Sequence, residues 1–148
     1  MPQERSNSLE IIGQHRHNNK PLRFVGTGPE RARVEGAGYE VSGWLDHRQL
    51  ARRYRRAALL LLLPRWQEPF GIVGLEALAC GVPVAAWQSG GIAEWHPATL
   101  PEWGDLDGAA ELARSLCGAR AGAPRGCHDP AVLTDQLEGL YRELRGAR

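Results

Sequence analysis

The most strongly patterned part of the chain is an unbroken apolar run at residues 57–63 (AALLLLL), ended by Pro64. A run without alternation predicts a strand covered on both faces, as at the centre of a parallel sheet. Residues 72–80 then carry helical spacing, with Ile72, Leu75 and Ala79 on one stripe and Gly81 as the stop. Residues 82–87 (VPVAAW) predict the next strand, so the segment reads as a right-handed βαβ unit. Upstream, residues 22–26 (LRFVG) lie between Pro21 and the turn Gly26-Thr27-Gly28-Pro29, which predicts a buried strand ending in a tight loop. Residues 30–35 predict one or two helical turns, and Gly36 and Gly38 break the chain before a second strand at 39–42 that turns at Gly43. Asp46 followed three residues later by Gln49 matches a capping box and predicts a helix over 47–56. Near the start, Ser8 with Leu9, Ile11 and Ile12 predicts a short helix weakened by Gly13. Residues 106–117 predict an amphipathic helix with Leu112 and Leu116 inward. After a Gly- and Pro-rich loop at 118–128, Asp129-Pro130 opens a final helix with Leu133, Leu137, Leu140, Tyr141 and Leu144 on one stripe.

Alternating strands and helices imply an α/β domain with a mostly parallel sheet, and such sheets bind ligands beyond the carboxyl ends of their strands. The loops at 26–30, 43–46, 64–71 and 88–94 each follow a predicted strand, which makes them the candidate site. Length and composition narrow the picture further. At 148 residues and 43% hydrophobic content, residues 1–148 suit one domain with one core. The formal charge of +1 carries no global footprint for nucleic acid or anionic lipid. Cys80, Cys117 and Cys127 lack CxxC spacing, so the expectation is reduced thiols in a cytoplasmic protein. The opening MPQERSNSLE has no apolar core of a leader, and 57–63 is too short to span a bilayer.

The loop at 64–71 carries the most chemistry. A helix opening near Phe70 would aim the backbone N–H groups of Phe70, Gly71 and Ile72 at an anion such as a phosphate, and Gly71 would allow close approach. Glu68 and Glu76 flank this helix end. Carboxylates repel phosphate but accept well from neutral hydroxyls, so one can hold a sugar and the other a ribose with a diphosphate between them. At about 1.5 Å rise per residue their eight-residue separation is on the order of 10 Å, roughly the length of a diphosphate bridge. Against this stand plainer readings: Glu68 as a favourable charge at a helix N-terminus, Glu76 as a core acid satisfied by a backbone N–H, and Gly90-Gly91 as an ordinary turn.

Taken in order, Glu68-Pro69-Phe70-Gly71, Leu75-Glu76-Ala77, Ala79-Cys80-Gly81-Val82-Pro83-Val84 and Gly90-Gly91 with Glu94 resemble the E-x7-E region of the retaining GT-B glycosyltransferases of family 4. Phe24-Val25-Gly26-Thr27-Gly28-Pro29-Glu30 and Val41-Ser42-Gly43-Trp44-Leu45 are similar to that family's preceding strands and loops. The resemblance covers residues 22–94, extends more loosely over Trp103-Gly104-Asp105, and implies a three-layer Rossmann-like domain, the C-terminal half of a GT-B fold. It implies that Glu68, with Phe70 and Gly71, holds the donor sugar of a UDP- or GDP-sugar in a hexosyl transfer. Gly71 and Ile72 would then meet the diphosphate and Glu76 the ribose, with Gly26, Thr27, Gly28, Gly43, Trp44 and Leu45 near the base. No metal or other cofactor is implied, and neither glutamate is assigned as a catalytic nucleophile or acid.

Residues 1–20 do not match the family's Gly-Arg and Lys-Gly segments, whose basic side chains clamp the diphosphate; Arg16 or Arg65 are conjectural substitutes, and Lys20 falls too late in the pattern. The family's N-terminal, acceptor-binding domain is likewise not matched, so the resemblance implies a donor-binding half that transfers only with a complementary N-terminal GT-B domain. A different class stays open: a module that binds a nucleotide sugar or docks on a partner without catalysis. A nicotinamide-dependent enzyme ranks behind both, since GTGPER lacks the third glycine of a dinucleotide fingerprint. Arg52, Arg53, Arg55 and Arg56 around Tyr54 read either as a solvated helix face or as a patch for peripheral attachment to an anionic membrane. Self-association through an uncovered apolar face is a further expectation. The pair His15-x-His17 is the nearest approach to metal-ligand spacing and suits a surface loop better. Ser42 and Ser89 lack the strand-to-helix elbow of an acyl-transfer nucleophile.

Overall fold

The structure, a computed structural model, describes residues 10–13, 22–122, 124 and 130–146. Among these residues five strands form one sheet: β1 (Glu10–Gly13), β2 (Leu22–Val25), β3 (Glu40–Val41), β4 (Leu59–Leu62) and β5 (Val84–Ala86), in the order β3-β2-β1-β4-β5. Among the described residues six helices accompany them: α1 (Arg31–Gly36), α2 (His47–Tyr54), α3 (Ile72–Ala79), α4 (Ile92–Trp95), α5 (Leu106–Leu116) and α6 (Pro130–Gly146). The α/β class and the order of elements agree with the sequence. Two elements differ, because Glu10–Gly13 is a strand and not a helical turn, and the short helix α4 begins inside the loop expected at 88–94. The strand β1 has a clear place in the sheet. It fills the slot between β2 and β4, pairing antiparallel with both. Two adjacent isoleucines suit that pairing better than a helix ended by glycine.

β2 and β3 pair in parallel, as do β4 and β5, with Leu60 opposite Val84 and Leu62 opposite Ala86. Four of the five strands therefore share one direction, and β1 alone runs against them. The consequence for function is that the carboxyl ends of β2, β3, β4 and β5 all open on the same edge.

β5 is buried at all of its positions, and Leu59, Leu60 and Leu62 of β4 are buried too. Consecutive buried positions require cover on both faces. α3 and α5 both pack on β4 and β5, so they take the two sides and give three layers. The core gathers Leu60, Leu62, Val84 and Ala86 of the sheet with Ala77 and Leu78 of α3, Tyr54 of α2, and Ile92 and Trp95 of α4.

The inward face of α3 is Gly74, Ala77 and Leu78, whereas Ile72 is 62% exposed and Ala79 is also exposed. The stripe expected through Ile72 and Ala79 is thus rotated. Trp95 lies across the helix so closely that a Cβ on Gly74 would collide with its indole ring, so glycine is the residue that fits there. The capping box at α2 forms as expected: Gln49 N–H donates to Asp46 Oδ1 at 2.7 Å, and Asp46 N–H donates to Gln49 Oε1 at 3.0 Å. On α6, Leu137 and Tyr141 are 56% and 66% exposed, so the stripe expected there is not covered at those two positions. No helix among the described residues is long and apolar enough to cross a membrane. His15 and His17 lie outside the described residues.

Candidate functional site

The loops after the four co-directional strands are joined in two pairs. Gly26, directly after β2, donates its N–H to the carbonyl of Gly43, after β3, at 2.9 Å. That bridge brings together the residues expected near a base. Of these, Thr27 and Trp44 are exposed, while Gly28 and Leu45 are half-buried. Gly26 and Gly43 both have positive φ, 129° and 69°, which side-chain-bearing residues rarely adopt.

The second pair joins the loop after β4 to the loop after β5. Ser89, 3% exposed, accepts the N–H of Glu68 on its hydroxyl at 3.0 Å and donates to the carbonyl of Trp66 at 2.7 Å. Gly90 N–H donates to Gln67 Oε1 at 3.0 Å, and Gly91 N–H is shared between the carbonyls of Glu68 and Pro69. A Cβ on Gly90 would sit inside the carbonyl oxygen of Glu68, and one on Gly91 would overlap that of Pro69. Gly90-Gly91 is therefore more than a free turn, since its missing side chains are what let the two loops touch.

Glu68 turns its carboxylate toward the tip of α3. Its Oε1 accepts the N–H of Gly71 at 3.2 Å, and its Oε2 accepts the indole N–H of Trp66 at 3.0 Å. The helix starts at Ile72 with Gly71 as its N-cap in the left-handed region, φ 74°. The backbone donor of Gly71, expected to face a ligand freely, is thus already held by Glu68, and the first-turn N–H groups of Ile72 and Val73 come next at the tip. A Cβ on Gly71 would press on Ile92 and Leu62 at 3.1 and 3.3 Å, so the glycine meets both a backbone and a packing requirement. Phe70 is half-buried and packs on the core, and its carbonyl accepts the indole N–H of Trp95.

Glu76 lies one turn further along α3, with its side chain 33% exposed. No hydrogen-bond donor engages its carboxylate among the described residues, and the nearest cation-forming group is His47 Nδ1 at 3.8 Å. His47 opens α2 directly after the loop that carries Gly43, Trp44 and Leu45. Glu76 therefore faces the corner made by the first pair of loops, and Glu68 stands with the second pair. Among the described residues no backbone N–H supports the core-acid reading of Glu76. Glu94 is exposed in the first turn of α4.

Sequence reasoning missed Trp66, Gln67, Ser89, Trp95 and His47 as parts of this edge. Gln67 and Ser89 are polar residues beside glycine- or proline-rich loops, which is a weak local signal. Their pairing across more than twenty positions had no signature in the chain.

The family model for glycosyl transferases group 1 matches residues 7–117. Among curated proteins, the chain is similar to a D-inositol 3-phosphate glycosyltransferase of Paenarthrobacter aurescens, 32% identical over 90 residues, covering 61% of this chain and 17% of that protein. It is 47% identical over 96 residues to D-inositol 3-phosphate glycosyltransferase 2 of Catenulispora acidiphila, covering 65% of this chain and 18% of the relative. It is 33% identical over 129 residues to a 2-deoxystreptamine N-acetyl-D-glucosaminyltransferase of Streptomyces fradiae, covering 79% and 30% respectively. The chain thus spans under a third of the length of each of these relatives.

Proposed function

Since the chain belongs to the group 1 glycosyltransferases, we propose that its carboxyl-edge loops bind the nucleotide-sugar donor of a metal-independent, retaining hexosyl transfer. Glu76 carries the reading: a part-exposed carboxylate, without a hydrogen-bond donor of its own among the described residues, facing the loops of Gly26 and Gly43. A charged acceptor so placed suits the two hydroxyls of a ribose, because carboxylate–hydroxyl hydrogen bonds are stronger than neutral ones. The base then lies against residues 26–28 and 43–45, the diphosphate reaches the tip of α3 at Gly71 and Ile72, and the sugar meets Glu68 beside Phe70. The helix N-terminus supplies partial positive charge for the diphosphate. Transfer itself requires an acceptor-binding N-terminal GT-B domain to close the other side of the cleft.

Calorimetric titration of the chain with UDP- and GDP-sugars tests the binding reading. Glu76→Ala is expected to weaken binding at least tenfold, about 1.4 kcal/mol. Absence of binding by the unmodified chain at millimolar nucleotide would overturn it. Turnover is expected only on mixing with a complementary N-terminal domain, and robust transfer by the chain alone would contradict the division of labour.

A further inference from the structure

We propose that Trp66 is a positioning residue for Glu68, fixing the orientation in which the carboxylate meets a sugar hydroxyl. The inference rests on the donor-binding reading above. A glutamate carboxylate held by one donor swings about its last torsion. Here the two oxygens are held separately, Oε2 by the indole N–H of Trp66 at 3.0 Å and Oε1 by the backbone N–H of Gly71 at 3.2 Å. Each carboxylate oxygen has two acceptor sites, so one remains open on each oxygen, aimed by the donors already in place. The backbone of Trp66 and Glu68 is fixed by Ser89, whose buried hydroxyl accepts the N–H of Glu68 and donates to the carbonyl of Trp66.

The exposure of Trp66 separates this role from simple packing. Trp87 and Trp95 are 6% and 0% exposed and belong to the interior, whereas Trp66 is 44% exposed. Its ring adds little to the core, and its indole N–H is spent on the carboxylate of Glu68.

Trp66→Phe keeps a ring and removes the donor. The chain, Trp66→Phe, Glu68→Ala and the double variant are titrated by calorimetry with UDP-glucose, UDP-N-acetylglucosamine and GDP-mannose, and with UDP and GDP. For the sugar nucleotide the unmodified chain binds, Trp66→Phe is expected to be at least fivefold weaker. Its affinity for the matching free diphosphate should stay within twofold and its thermal midpoint should not change. The double variant is expected to bind no more weakly than Glu68→Ala alone, since the indole acts only through that carboxylate. Unchanged sugar-nucleotide affinity in Trp66→Phe, with a loss in Glu68→Ala, would overturn the positioning role and leave donor binding standing. So would losses that multiply in the double variant, or an equal loss for the free diphosphate. Failure of the unmodified chain to bind any of the five compounds would overturn donor binding, and this role with it.

Discussion

At the residue scale, the site depends on side chains that are missing as much as on those present. Gly90 has φ +50°, and a Cβ there would overlap the carbonyl oxygen of Glu68. Gly81 has φ +79° but open space around the position. The two glycines therefore separate backbone strain from loop contact. Gly81→Ala is expected to cost about 1–2 kcal/mol through its left-handed backbone alone and to leave nucleotide-sugar affinity unchanged. Gly90→Ala adds an overlap worth roughly 1–3 kcal/mol and pushes Glu68 out of place, so it should lower both the thermal midpoint and the affinity. Thermal unfolding paired with calorimetry checks both outcomes. Glu68, Gly71 and Gly90-Gly91 were legible as loop residues beyond strand ends and Glu76 as a residue of the following helix, and it is the family resemblance that grouped them. What each contacts was not legible, since Ser89 meets Glu68, and Gln67 meets Gly90, only after β4 and β5 have paired.

At the element scale, α2 and α3 decide where Glu76 lies. α3 has an inward face of Gly74, Ala77 and Leu78 because Trp95 occupies the space a larger residue would need. Sequence periodicity marked an apolar stripe but could not know that a tryptophan from four-residue α4 would lie across it. α2 is held at its start by the reciprocal bonds of Asp46 and Gln49, and that start places His47 beside Glu76. Asp46→Ala removes the cap and is expected to cost about 1 kcal/mol of stability. The same change should weaken nucleotide-sugar binding more than it weakens the fold, because the loop at 43–46 loses its anchor. Chemical denaturation and calorimetry on one preparation compare the two effects, and an affinity untouched by Asp46→Ala would remove the loop from the site.

At the scale of the whole molecule, one buried histidine connects β5 to the far end of α4. His96 is 1% exposed, and its Nδ1 accepts the N–H of Ala98 at 3.1 Å. Its Nε2 then carries the proton and donates to the carbonyl of Val84 at 2.8 Å. His96→Leu strands a buried carbonyl and a backbone N–H, which is expected to cost on the order of 2–4 kcal/mol, read as a lower denaturation midpoint with an unchanged slope. By contrast, Trp66→Phe touches no buried group of this kind, so the two variants distinguish support of the fold from support of the site. The sequence by itself determined the α/β class and the elements from β2 to α5 other than α4, because these follow from local periodicity and turn residues. Only the tertiary structure decided that residues 10–13 form a strand running against its neighbours, which face of α3 is buried, and which donors hold Glu68. Each of those depends on what distant segments leave open once they pack: a slot between β2 and β4, an indole laid over a helix, and a serine brought to a loop more than twenty residues before it.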